Sequence, residues 1–386
     1  MSPTRIYCDY NATAPLRPEA ALAVTAALQA GGNPSSVHAE GRRARAQVEA
    51  ARETIAAAIG ACRDDIAFTS GGTEAVQAPL RGVLRAVENA QLVVSSMEHD
   101  AVSALAELPK AWPASAAGVV DLVWLEAVVN TLAAEGRRPL VSLMLVNNET
   151  GVIQPVGEAA AIVHAAGGLI HCDAIQALGK IEPSVIDLDV DYLSVSSHKI
   201  GGPQGVGAFY VKPGAPFAAV LTGGGQEFGR RAGTENVAGI AGFAAAVSAI
   251  DLPAYAALAP HRDRMEAALK AAVPSLFVHG GGAPRVAGVS CFGVEGLPSE
   301  TQIMGLDLAG FAVSAGSACS SGKVKPSRVL TAMGLSDTAA RSAIRASFGW
   351  ASRPEDFDAL AAAWLKMAAR ARPQLVSTEA LAHAGR

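Results

Sequence analysis

The segment Ser196-Ser-His-Lys-Ile-Gly-Gly-Pro-Gln-Gly-Val-Gly sets Lys199 after a β-rich run and directly before a glycine-rich turn. Glycines let backbone approach a ligand closely, and a lysine desolvated near other cations is neutral enough to form a Schiff base with a carbonyl. By itself the segment fits a surface lysine in a loop equally well. A second segment, Phe68-Thr-Ser-Gly-Gly-Thr-Glu-Ala, closes a strand and opens a helix. Its N–H groups, with the Ser70 and Thr73 hydroxyls, form a candidate phosphate cradle. Asp173 ends Leu169-Ile-His-Cys-Asp, where a carboxylate either pairs with a protonated ring nitrogen or caps the next helix. His99 and Asn148 also follow β-rich runs. Polar strand ends that converge on one crevice, one of them with a lysine before a glycine turn, describe a ligand site better than separate accidents do.

Such convergence needs a sheet. Short apolar runs at 66–70, 92–96, 140–146, 169–173, 192–197 and 206–211 alternate with Ala-rich helical stretches. That alternation implies an α/β fold with three layers, a mostly parallel sheet covered by helices on both faces, in which ligands sit at the carboxyl ends of strands. Residues 40–59 read as a charged amphipathic helix with Arg42, Arg43, Arg45, Glu49, Arg52 and Glu53 on its wetter side. After a long helical stretch over 238–273, strand patterns at 286–294 and 311–314 and an Ala-rich terminal helix predict a smaller α+β domain. The expected division is a large domain over 15–251 and a small one made of 1–14 and 252–386.

Composition narrows the function classes. The chain has 386 residues, half of them hydrophobic, and a net charge of -4 from 31 Lys and Arg against 35 Asp and Glu. That balance argues against a nucleic-acid or anionic-membrane partner and favours a small-molecule substrate. The longest apolar run, 237–250, is shorter than the roughly 20 residues of a membrane-spanning helix. The first residues lack an apolar export signal, so a cytoplasmic location is expected. Cys8, Cys62, Cys172, Cys291 and Cys319 are scattered, without a CxxC pair, which argues against a disulfide framework or a zinc cluster. The first four read as buried small hydrophobes. Cys319, in Ser314-Ala-Gly-Ser-Ala-Cys-Ser-Ser-Gly-Lys-Val-Lys-Pro, lies in a polar small-residue segment whose composition permits a mobile loop.

The chain resembles the cysteine desulfurase family, with the class V aminotransferase fold (pyridoxal-phosphate fold type I), over residues 7 to about 349. The resemblance rests on Asp9-Tyr-Asn-Ala-Thr, Asn33-Pro-Ser-Ser-Val-His, Thr69-Ser-Gly-Gly-Thr-Glu, Glu98-His, Val146-Asn-Asn-Glu-Thr-Gly and Asp173-Ala-Ile-Gln. It rests further on Ser197-His-Lys, Gly223-Gly-Gly-Gln-Glu, Arg231-Ala-Gly-Thr-Glu-Asn, Gly316-Ser-Ala-Cys-Ser-Ser and Ile344-Arg-Ala-Ser-Phe-Gly.

What the resemblance implies is specific. Lys199 would hold pyridoxal 5'-phosphate covalently, Asp173 would pair with the pyridine nitrogen, His99 would stack on the ring and Gln176 would bond the ring hydroxyl. Gly72, Thr73, Ser196 and His198 would hold the phosphate. Thr234 would complete that site in a neighbouring subunit, which implies a homodimer. Asn148 and Arg345 would bind the carboxylate of L-cysteine. Cys319 would take the sulfur as a persulfide, with Lys199 and His99 as the other catalytic groups, and its sequence resembles the long-loop group that serves iron-sulfur assembly and tRNA thiolation. The sulfur would pass to an acceptor or scaffold protein, with no direct part for nucleic acid or a membrane. Another enzyme of the same fold, such as an aminotransferase or a selenocysteine lyase, and an idle scaffold for sulfur-transfer partners are the rival readings. Two departures from the family pattern, Gln77 in place of Asn and Pro79 one turn into a helix, fall behind the phosphate positions.

Overall fold

The computed structural model describes residues 5–105, 112–315 and 326–377. Apart from the short β1 (Ile6–Tyr7), the strands of the first half are β2 (Ile66–Thr69), β3 (Ala90–Val94), β4 (Arg138–Met144), β5 (Leu169–Asp173), β6 (Tyr192–Ser196) and β7 (Gly207–Val211). They form one six-stranded sheet in the order β2-β7-β6-β5-β4-β3. β3 to β6 run parallel, and β7 alone is reversed against both its neighbours, β2 and β6. β5 and β6 are buried along their whole length, as strands covered on both faces must be.

The helices explain that burial. α1 (Pro18–Ala30) and α2 (Ala39–Ala58) pack on α7 (Val237–Ser248), and α3 (Gly72–Ala86) lies on the opposite face against β6 and β7. α4 (Asp100–Ser103), α5 (Leu122–Ala134) and α6 (Val156–Ala165) connect β3, β4 and β5. Under α3 sits a cluster that includes Val76, Leu80, Leu140, Leu169, Tyr192 and Phe209, whereas Val141, Leu143, Ile170, Leu193 and Val195 join the core on the other face. The period of two along β4, β5 and β6 thus sorts one strand residue to each side.

A polar line crosses the α3 face. The Ser142 hydroxyl meets His171 Nδ1 at 2.9 Å, His171 Nε2 meets the Ser194 hydroxyl at 2.7 Å, and Ser194 donates to the Ala75 carbonyl at 2.7 Å. Burial pushes His171 down to about 3, so the ring is neutral and bonds at both nitrogens. Two residues further along the same face come Met144, Asp173 and Ser196, at the carboxyl ends of their strands.

The second sheet has the order β11-β12-β9-β8, built from β8 (Phe277–His279), β9 (Val289–Gly293), β11 (Ser314–Ala315) and β12 (Ala343–Ser347), all antiparallel. β1 pairs in parallel with β10 (Phe311–Ala312), and Asp9 bridges Ser347, so the N-terminal arm joins this half. The helical stretch expected over 238–273 divides after α7 into Leu252–Ala256 and Ala259–Ala272, each with proline in its first turn and the former capped by Asp251. Pro79 does not interrupt α3, which runs through it with that side chain buried. Among the described residues no single helix is long and apolar enough to cross a membrane.

Two expectations are corrected. Arg52 is not on a wet face of α2: it is 2% exposed, bonds Glu227 through Nη1 and through Nη2 at 3.1 Å, and stacks over Phe68 and Phe228. Sequence periodicity cannot separate a solvated arginine from one whose partner lies 175 residues away. Cys62 is exposed, where it precedes the short 3-10 turn Arg63–Asp65, whereas Cys8, Cys172 and Cys291 are buried as expected.

Glu227 also accepts the Phe68 N–H at 2.8 Å, while Glu227 and Phe228 hold left-handed backbone angles of φ 49 and 57. The buried pair therefore pins a strained loop to the end of β2. Glu227→Ala removes the bidentate partner of the buried Arg52 and leaves it, among the carboxylates of the described residues, only Glu49, at 3.3 Å from Nε, and is expected to cost about 3–5 kcal/mol in urea unfolding. A loss below about 1 kcal/mol would show that the pair is not holding the loop.

Candidate active site

A cavity of about 320 Å³ opens at the carboxyl ends of β2 to β6, on the α3 side of the large sheet. Gly72 and Thr73 of α3, His99 after β3, Asn148 after β4, Asp173 and Gln176 at β5, and Ser196, His198 and Lys199 at β6 all line it. Arg345 comes to the same cavity from β12 of the second sheet. Of the expected site residues, Thr234 lines no part of it and is exposed two residues before Asn236, the cap of α7. Cys319 lies outside the described residues.

Lys199 Nζ donates to the carbonyls of Asn11 at 2.7 Å and Ala12 at 2.8 Å, both on the N-terminal arm. The arm is fixed in turn: Thr13 meets His198 Nδ1 at 3.2 Å, and the Ala14 N–H reaches the His198 carbonyl. Burial and then the charge on Lys199 push His198 down to about 4, leaving it neutral at pH 7.

The α3 end of the cavity suits an anion. Gly72 and Thr73 form the first turn of a helix, where N–H groups are unpaired within the helix and the dipole is positive. A Cβ at Gly72 would lie 2.8 Å from Ile175 Cδ1 and 3.2 Å from Ser196 Cβ, so only glycine lets backbone approach this closely. The Ser196 hydroxyl is buried and has no hydrogen-bond partner among the described residues. Ser70, expected in this cradle, instead gives its N–H and hydroxyl to Glu74, which Arg231 holds at 2.9 Å. Gln77 turns away to the Ala101 carbonyl at 3.1 Å and ties α3 to α4.

At the sheet end, Asp173 Oδ1 accepts the Ile175 N–H at 2.9 Å; a turn rather than a helix follows it, so Asp173 closes that turn instead of capping a helix and keeps its position in the cavity. Burial raises its carboxyl above the usual range, and that N–H and the charges of His99 and Lys199 act against the rise. Among the described residues no cation forms an ion pair with it. His99 accepts the Ala101 N–H at Nδ1, 3.1 Å, which places the proton of a neutral ring on Nε2.

Several residues here carried no role in the sequence reading. Glu98 is fully buried behind Asp173, accepts the Met144 N–H at 2.7 Å, and has its carboxyl raised well above normal by burial and then by Asp173. Asp9 holds Arg345 Nη2 at 2.7 Å and accepts the Ser314 hydroxyl at 2.8 Å. Glu149 accepts the Ser327 hydroxyl. Asn11 and Lys180 are bonded to each other at 2.6 Å. The motifs contained Asp9, Asn11, Glu98 and Glu149, but their partners lie far off in sequence. Lys180 had a local signal, standing four residues after Gln176 in the turn that follows β5.

The fold is that of a class V aminotransferase, a group of pyridoxal-phosphate enzymes, and the aminotransferase class-V family model matches residues 6–360. A cysteine desulfurase of Cereibacter sphaeroides is 40% identical over 363 residues, which is 91% of this chain and 92% of that protein. A NifS-like protein from Rickettsia africae matches with a TM-score of 0.85 at 29% identity, covering 94% of this chain and 99% of that one. A structure of SspA in complex with cysteine matches with a TM-score of 0.76 at 28% identity, over 89% and 99% of the two chains. The chain belongs to the cysteine desulfurase family.

Glu149 provides a pH test of this geometry. Burial raises its carboxyl to about 7, against the Ser327 bond and the charges of Arg345 and Arg328. Its pKa is higher folded than unfolded, so between about 4.5 and 7 the folded state binds more protons and stability falls as pH rises. Glu149→Gln removes that term and is expected to flatten the urea-unfolding profile across this window, gaining stability relative to the parent at pH 8 over pH 5. An unchanged slope would place Glu149 in contact with water.

Proposed function

We propose that the chain converts L-cysteine to L-alanine with pyridoxal 5'-phosphate held on Lys199, and passes the sulfur through a persulfide on Cys319. The observation that carries the cofactor part is the cavity's inventory: a lysine and, among the described residues, a buried hydroxyl without a hydrogen-bond partner beside a helix N-terminus and a buried carboxylate in no ion pair. A phosphorylated pyridine aldehyde satisfies all three. Gly72, Thr73, Ser196 and His198 would hold the phosphate, Asp173 the protonated ring nitrogen, His99 the ring face and Gln176 the ring hydroxyl. Gln176 now donates to the Asn11 carbonyl at 2.9 Å and accepts from Lys180, so its amide can serve the hydroxyl only by sharing these bonds.

Bound there, the cofactor supplies a carbonyl that links to amines and a ring that withdraws electrons. Arg345 and Asn148 bind the substrate carboxylate; the buried Arg345 Nε–H has no partner, which leaves a donor for it. Lys199 Nζ takes the α-proton of cysteine, and His99 Nε2 moves the thiol proton. Cys319 Sγ, as thiolate, attacks the substrate sulfur: the S–S bond forms, the Cβ–S bond breaks with its electron pair left on Cβ, and alanine is completed by a proton added at Cβ and by return of the α-proton from Lys199 to the α-carbon.

Asp9-bound Ser314 pairs with Arg345 across β11 and β12, and the next residue, Ala315, is four residues from Cys319, a chain reach of at most about 14 Å. We further propose a homodimer, supported by the exposure of Thr234 outside its own chain's cavity, and a sulfur-acceptor or iron-sulfur scaffold protein as partner. The division into 15–251 and 1–14 with 252–386 would put cofactor and sulfur carrier on separate units. A cytoplasmic setting would keep Cys319 reduced.

Cys319→Ala is expected to keep the visible absorption of the lysine-bound cofactor and to lower alanine production from cysteine at least ~100-fold. Normal alanine production by that variant would remove the persulfide step.

A further inference from the structure

Lys180 is 8% exposed and reaches no carboxylate among the described residues. Its amine instead donates to Asn11 Oδ1 at 2.6 Å and to Gln176 Oε1. Asn11 is 1% exposed and bonded at every polar atom. Its side-chain Nδ2 donates to the Asn148 carbonyl at 2.9 Å, its N–H donates to Ser347 Oγ at 3.0 Å, and its carbonyl accepts from Gln176 Nε2 and from Lys199 Nζ. The Asn148 carbonyl also accepts from Arg345 Nη1 at 3.1 Å. One buried asparagine therefore connects the cofactor lysine, the substrate-carboxylate arginine and a second lysine. The network forms a partition: Asn11 and Gln176 face the main cavity, Lys180 lines a second one of about 260 Å³, and Lys199 borders both.

A buried lysine beside two other cations is costly to keep. Burial, then the charges of Lys199 and Arg345, push its amine well below the usual range. A neutral amine still has two N–H groups, which match its two carbonyl acceptors.

Resting on the reading of Lys199 as the cofactor lysine, we propose that Lys180 is a positioning residue for Lys199, acting through Asn11. By holding the Asn11 side chain it fixes the main-chain carbonyls of Asn11 and Ala12, and these receive the Lys199 amine whenever it is not bound to the cofactor. They set where the proton-carrying Nζ waits during turnover, and they favour its charged form.

The test is competitive acetylation of Lys199 in the full chain without cofactor, followed across pH by peptide mass spectrometry, with thermal unfolding as the check on folding. Loss of the carbonyl positions lowers the midpoint of Lys199, whereas simple removal of a repelling charge raises it. Lys180→Met and Asn11→Ala are each expected to lower that midpoint by about half a pH unit or more, and the double variant to go no further than either alone. A raised or unmoved midpoint in Lys180→Met, or additive effects in the double variant, overturns the proposal. If Lys180→Met does not fold, Asn11→Ala decides by the same criterion. A parallel titration with pyridoxal phosphate separates the two ideas. If the parent chain gains no visible band, the cofactor reading fails while the labelling still reports on Lys180.

Discussion

The site depends on the N-terminal arm crossing the carboxyl ends of the large sheet. Asp9, Asn11, Ala12, Thr13 and Ala14 each bond a residue of the cavity or its rim, and Asp9 also bridges β12. Without the arm, Lys199 would lose the Asn11 and Ala12 carbonyls and Arg345 the Asp9 carboxylate. The arm is short and contributes only a two-residue strand, so its place is set by these polar contacts rather than by a sheet of its own. Catalytic geometry and the joining of the two sheets are therefore one set of bonds, and a change in either propagates to the other.

Charge balance explains why so many ionisable groups tolerate burial here. Lys199, Lys180 and Arg345 stand among Asp9, Asp173, Glu98 and Glu149, but the groups are not all ionised together. Burial, and then Asp173 beside it, favours the protonated form of Glu98, and burial, and then the charges of Lys199 and Arg345, favours the neutral form of Lys180. Each neutralisation spares the charge that faces the cavity. The charges that remain sit where a phosphate, a ring nitrogen and a carboxylate would meet them, which is the preorganisation that polar catalysis requires.

The large-sheet strands and their mostly parallel arrangement were legible because buried parallel strands are apolar runs and their ends were marked by polar residues, whereas their order in the sheet and the reversal of β7 were not. Lys199, Asp173, His99 and Ser196 were readable as strand-end residues for that reason. Arg52 was misread, since helical periodicity records charge and not the distant Glu227 that neutralises it. Cys62 was misread because a small thiol resembles a core residue until its loop is placed. Asn11 and Lys180 were invisible as a pair: the bond between them spans 169 residues, and only the folded arm brings them together.

The two ends of the segment that holds Cys319 carry the remaining argument. Ser314 enters it opposite Arg345 and bonded to Asp9, while Ser327, just beyond it, bonds Glu149 beside Asn148. Ser314 thus touches Arg345, which is proposed to hold the substrate carboxylate, and Ser327 touches Glu149, the neighbour in sequence of Asn148. A ligand that draws Arg345 or the 147–150 turn inward acts on both ends of the sulfur-carrying segment at once. Under the proposed function, substrate recognition and delivery of the thiol would share these anchors, and the carboxylate of cysteine, rather than its sulfur, would be the group that reports its arrival.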